Sequence, residues 1–183
     1  MKITKNWFYK LSEILSDEST ITVDDNLTVA LYDDINSETT AQIKVWENSE
    51  LEYFSFVSEE GVFNKHFLLN KPWAKASVKS LIYSKENTIQ SKIIWELASD
   101  DTEINLDILS FAGEQWNISL DWILEIGPEL QRVKGQLDET NIFLWESWKI
   151  SGIPTLLVAT NDVEASHSCK MEKISDQELF YLR

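Results

Sequence analysis

Between Trp116 and Ile126 every even position is apolar and every odd position except Ile123 is polar. Successive side chains of a strand point to opposite faces, so this stretch predicts one long strand with a wet face and an apolar face. Similar alternation marks Ser77–Tyr83, Thr88–Ala98 and Glu103–Ser110. Apolar-rich runs at Asn141–Ile150 and Ile153–Thr160 complete a long-strand group over residues 77–160. Shorter runs at 27–32, 41–47, 51–57 and 62–69 make a first strand group over 20–69. Turn chemistry separates the strands, including Asn48-Ser49-Glu50, Asn70-Lys71-Pro72-Trp73, Ser99-Asp100-Asp101-Thr102 and Ala112-Gly113-Glu114-Gln115.

Antiparallel pairing satisfies these faces. Folding the chain about Gly113 opposes Ile108 to Ile118, Leu106 to Leu120 and Ile104 to Trp122. Folding about Asp100-Asp101 opposes Trp95 to Leu106 and Ile93 to Ile108, with the apolar residues again on one face. In the first group, Val45 against Phe54 and Ile43 against Phe56 would face inward, leaving Lys44, Trp46 and Tyr53 outward. Ile3, Trp7, Phe8, Leu11, Ile14 and Leu15 recur at helical spacing and predict an amphipathic helix over 3–15. Ser175-Asp176-Gln177-Glu178 opens a short C-terminal helix over 175–182 with a capping box. The expected fold is a single domain over 1–183. It is mainly β, an antiparallel meander of about ten strands forming a sandwich or barrel-like sheet between two helices.

Charge alters this picture by its distribution. The net charge is −15 over 183 residues. Residues 11–62 hold thirteen acids and one base, 63–95 hold six Lys and one acid, and 96–131 hold nine acids and no base. A basic block thus lies between two acidic ones. The blocks either pair within the fold or present separate surfaces. The acid excess argues against nucleic acid as a partner, since phosphate recognition needs Lys and Arg. The interleaved bases and aromatics of residues 63–95 read as a solvated or internally paired Lys face.

Candidate chemistry is sparse. No glycine-rich phosphate loop, nucleophile elbow, paired helical His ligands or EF-hand loop is present. The Asp doublets 24–25, 33–34 and 100–101 fall at turns, where Asp is favoured by local hydrogen bonding. His167 and Cys169, two residues apart, are two ligands where a zinc site needs four, and read as loop residues. Few Gly and no export signal count against a secreted two-carboxylate glycosidase. The single Cys fits a reducing, cytoplasmic setting, and neither a signal peptide nor a membrane span is visible.

These observations predict a non-catalytic acidic protein with no cofactor and no metal that neutralises a basic protein partner. Immunity-type inhibitors of bacterial nuclease toxins are the matching category. The expected contacts are Asp100, Asp101, Glu103, Asp107, Asp121 and Glu125, with Trp46 and Tyr53 as aromatic anchors. A lipocalin-like barrel around a small apolar ligand and a DNA-mimic inhibitor are the alternatives.

Overall fold

The computed structural model describes residues 1–15, 20–34, 39–58, 60–84, 88–112, 117–143, 149–152, 154–175 and 177. In chain order they form β1 Lys2–Ile3, β2 Phe8–Lys10, α1 Leu11–Ile14, β3 Thr20–Val23 and β4 Thr28–Asp33. Next come β5 Thr39–Val45, β6 Glu50–Val57, β7 Gly61–Leu69, β8 Lys75–Ser84, β9 Thr88–Leu97 and β10 Glu103–Ala112. The series closes with β11 Asn117–Ile126, β12 Val133–Phe143, β13 Lys149–Ser151, β14 Thr155–Val158 and β15 Val163–Lys173.

Odd strands from β1 to β13 lie side by side in one sheet, with β14 also against β11. The even strands β2 to β12, followed by β15, make the other. All the strand pairings are parallel. The chain therefore winds as a two-sheeted parallel β-solenoid, crossing from one sheet to the other at each corner. Thr28 lies beside Glu50, Glu50 beside Lys75, Lys75 beside Glu103 and Glu103 beside Lys134, so successive coils span 22, 25, 28 and 31 residues. The coils widen toward the C-terminus, and this is why no fixed repeat is visible in the sequence.

The core lies between the sheets. One inner row runs Val23, Val45, Leu69, Leu97, Ile126 across five strands. The next runs Ile21, Ile43, Phe67, Trp95, Leu124, and Phe67 and Trp95 stack with centroids 3.6 Å apart. Each buried aliphatic of such a row contributes about 1.5–3 kcal/mol by leaving water. Coils are also joined at their corners. Asn26, Asn48 and Asp101 each adopt a left-handed backbone (φ 59, 52 and 57°), a conformation these residue types tolerate. Asn48 Nδ2 donates to Asn26 Oδ1 at 2.8 Å, and the Asn48 amide donates to the Pro72 carbonyl at 3.0 Å.

Several expectations are overturned. The meander is parallel, and β10 and β11 lie in different sheets. Ile108, expected opposite Ile118, sits between Ser80 and Glu139. Alternation assigns a face but is silent about direction and neighbour. Parallel sheets are usually covered on both faces and read as continuous apolar runs. A two-sheeted solenoid leaves each outer face wet, so its strands carry the pattern of an antiparallel sheet. Among the described residues the two sheets do not close into a barrel, and side chains fill the space between them.

The face of β6 is reversed: Tyr53 is 1% exposed, while Phe54 and Phe56 are each 37% exposed. Both faces of this strand carry apolar residues, and the inner position lets the Tyr53 hydroxyl donate to Asp33 Oδ2 at 2.6 Å. The helix expected over 3–15 shrinks to the single turn of α1. Its Leu11 and Ile14 are buried, and Trp7 projects into solvent. Of the helix expected over 175–182, only Ser175 and Gln177 lie within the described residues. No helix among the described residues is long and apolar enough to cross a membrane.

Candidate functional site

The wide end of the solenoid holds the polar groups least explained by folding. There β12 pairs with β15, the last strand of its sheet. The inner face of β15 carries Val163, Ala165, His167, Cys169 and Met171, since Leu137 lies beside His167 and Glu139 beside Cys169. In the interior coils such a row is covered by the opposite sheet. Here His167, Cys169 and Met171 are exposed.

Behind them lies a hydrogen-bonded track. Ser110 Oγ donates to Asn141 Oδ1, and Asn141 Nδ2 donates to Glu139 Oε1. Cys169 Sγ is 3.6 Å from Asn141 Nδ2 and 3.8 Å from Glu139 Oε1. Glu139 is 1% exposed and its Oε2 has no hydrogen-bond partner among the described residues. Burial pushes its carboxyl above the usual range, against the lowering effect of Asn141 and Cys169. The Cys169 thiol is likewise pushed up, first by desolvation of the sulfur and then by the neighbouring carboxylate. A thiol held protonated in this way is a weak nucleophile.

His167 Nδ1 is 3.0 Å from the Pro154 carbonyl. A carbonyl only accepts, so Nδ1 carries a proton and donates, which in the neutral tautomer leaves the lone pair on Nε2. Imidazole and thiol thus stand on one exposed face as two donors of the type that iron accepts. Among the described residues no three His, Cys, Asp or Glu side chains converge to hold a metal.

The acidic contacts expected from the sequence do not form one face. Glu103 and Asp107 lie on the outer side of β10, whereas Asp121 and Glu125 lie on the outer side of β11 in the other sheet. The solenoid separates the two pairs by its whole thickness. Among the described residues, Glu103 is matched by Lys75 at 3.2 Å, Asp121 by Lys92 at 3.4 Å, and Asp101 by Arg132. Arg132 Nε and a terminal nitrogen donate to the two Asp101 oxygens at 2.6 and 2.7 Å, which holds that carboxyl below its usual range. Asp100 Oδ1 accepts from the Gln131 amide at 2.9 Å, so both turn acids tie one corner to the next. Asp107 lies between Lys79 and Asp138, and Glu125 between Glu96 and Leu157. Trp46 is half-buried beneath Lys2, whose Nζ is 4.8 Å from the ring centroid. Tyr53 is inside the core.

The charged blocks therefore pair within the fold. The basic strand β8 lies between acidic β6 and β10, β9 lies beside acidic β11, and Lys65 of β7 reaches across the core to Asp33 at 3.2 Å. Along one outer row Glu50, Lys75, Glu103, Lys134 and Glu164 alternate in sign over five strands.

His167 and Cys169 were expected in a loop, and Glu139 was assigned no role. The signal was the run Val163, Ala165, His167, Cys169, Met171 at every second position, a strand pattern with two polar members.

Comparison with known proteins bears on the function. No curated protein matches the chain significantly. The family model described as SUF system FeS cluster assembly, SufBD core domain, matches residues 33–183. That match replaces the expected immunity-type inhibitor, and nothing in the fold supports the lipocalin alternative. The chain belongs to the SufBD core-domain family of the SUF iron–sulfur cluster assembly system.

Proposed function

We propose that this chain is a non-catalytic scaffold for iron–sulfur cluster assembly and that its wide end is the working region. The observation that carries the reading is the pair His167 and Cys169, side by side on an exposed inner face at the last coil. Their chemistry suits iron and sulfide as cargo. Nε2 offers a lone pair, Sγ becomes a thiolate ligand on losing its proton, and Glu139 beside it can take that proton. Two donors do not complete the coordination of a cluster, so the remaining ligands come from another protein surface. The acid excess favours a partner with a basic face, and the lone thiol favours a reducing, cytoplasmic setting.

Anaerobic loading with ferrous iron and sulfide, followed by absorption and Mössbauer spectroscopy, tests the assignment. The wild-type chain is expected to retain iron and acid-labile sulfide, and Cys169→Ser and His167→Ala each to lose most of it. Undiminished loading of both variants would move the working region elsewhere.

A further inference from the structure

We propose that Asn141, locked in place by Ser110, is a positioning residue for Cys169. One N–H of its amide holds the Glu139 carboxylate beside the sulfur, and the other points at the sulfur itself. The purpose of this device rests on the scaffold reading of the wide end, whereas its geometry stands without it.

Ser110 and Asn141 are both 0% exposed. They occupy an inner row that begins with aliphatic residues, since Val57, Ile82, Ser110, Asn141 and Met171 lie side by side on β6, β8, β10, β12 and β15. A buried polar side chain costs stability unless it is hydrogen-bonded, and an aliphatic residue would continue the row without that demand. The switch from aliphatic to polar comes where the row reaches the neighbourhood of Cys169. Stacking of the coils does not require it.

The partners of the amide fix its orientation. An Asn side chain offers two N–H donors on one atom and an acceptor on the other. An ionised carboxylate only accepts, so Nδ2 faces Glu139 Oε1, and Oδ1 faces Ser110, whose hydroxyl donates to it. Nδ2 has a second hydrogen, and Cys169 Sγ lies 3.6 Å away, diagonally across the β12–β15 pair. Sγ is also 3.8 Å from Glu139 Oε1, while Oε2 has no hydrogen-bond partner among the described residues. Such contacts are often long before a ligand is bound and tighten in the complex. An N–H directed at a ligand sulfur draws electron density from it, one of the levers by which a protein tunes a cluster. With Ser110 holding Oδ1, the amide is kept from turning its oxygen toward the sulfur.

The chain has a single Cys, so the S–H stretching band in the infrared spectrum of the metal-free full chain reports Cys169 alone. Donation to Glu139 lowers its frequency, and the wild-type band is expected below that of the urea-unfolded chain. Asn141→Leu and Ser110→Ala, each shown to be folded by circular dichroism, should move the band toward the unfolded position. Ser110→Thr keeps the hydroxyl and should keep the wild-type band. A role confined to core packing would leave the band unmoved in every folded variant. If Asn141→Leu does not fold, Ser110→Ala carries the same test. After anaerobic loading with ferrous iron and sulfide, Asn141→Leu should hold iron about 10–100-fold more weakly, the usual scale for a residue that orients a metal ligand. Ser110→Thr should hold it as the wild type does. A wild-type chain that takes up no iron would overturn the scaffold reading, and the infrared band would still decide the positioning role. A wild-type band at the unfolded position, or one unmoved in both Asn141→Leu and Ser110→Ala, would overturn the proposal.

Discussion

At the narrow end of the solenoid, the chain folds over its own first coils. Leu11 and Ile14 are 0% and 7% exposed, and Asp34 fixes the turn of helix by accepting from the Ser12 amide at 3.0 Å and its hydroxyl at 2.6 Å. At the wide end, Val158 and Met171 are 43% and 56% exposed and a full-length strand forms the sheet edge. A stack of coils exposes a slice of core at each end, and a terminal coil needs a polar or covered outer side. One end is sealed from within the described chain. The other presents donors, a partly uncovered inner row and, among the described residues, a strand at the edge of its sheet.

The largest expected effect breaks the seal. Leu11→Asp places a carboxylate where a buried aliphatic sat and should cost at least about 3 kcal/mol in urea-unfolding free energy. A loss under about 1 kcal/mol would show that the narrow end is not a closed cap. Next comes Gly135→Ala in β12, where an added Cβ would meet Leu124 Cδ2 at 2.8 Å. Overpacking at this point should destabilise by about 1–3 kcal/mol. A neutral result would mean that the wide coils are loosely filled.

Glu139→Gln should stabilise in a pH-dependent way. The folded carboxyl titrates above its unfolded value. Below the ordinary carboxylate range both states are protonated and the residue leaves stability unchanged. As pH rises toward the folded value, the native state retains a proton that the unfolded chain releases, and stability is lost. The Gln variant avoids that loss, so its thermal midpoint should match the wild type near pH 4 and exceed it at neutral pH. A difference constant over this range would remove the buried carboxyl from the account. Smallest of all, Met171→Asp should alter the unfolding free energy of the isolated chain by no more than about 0.5 kcal/mol, the scale for exposed positions. A loss comparable to that of Leu11→Asp would erase the distinction between the two ends.

Much of the strand inventory was legible. Four of the long strands, β8 to β11, fall within a few residues of the expected runs, because alternation depends only on which side of the backbone meets water. Direction was not legible. The apolar partners proposed for Ile108 and Trp122 agreed with each other because the inner faces of β9, β10 and β11 are mainly apolar, so agreement between in-phase registers carried little information about neighbours. Tyr53 was misplaced because Leu51, Tyr53 and Val57 compete with Phe54 and Phe56 for the inside. The deciding partner, Asp33, lies on a neighbouring strand 20 residues away. Of the candidate site, His167 and Cys169 were visible as a pair, but their significance depends on Glu139 arriving beside Cys169 through a register of 30 residues. No local spacing encodes that meeting.

The lengthening of successive coils has a consequence for how such a protein can evolve. In a solenoid of constant period, a coil can be duplicated or deleted and the ladders on either side still match. Here β4 has six residues, β8 has ten and β12 has eleven. A copy of a narrow coil spliced into the wide part would leave the ends of its neighbours without backbone partners. Each coil is therefore bound to its place in the series, and a coil copied elsewhere in it would lose part of its backbone pairing.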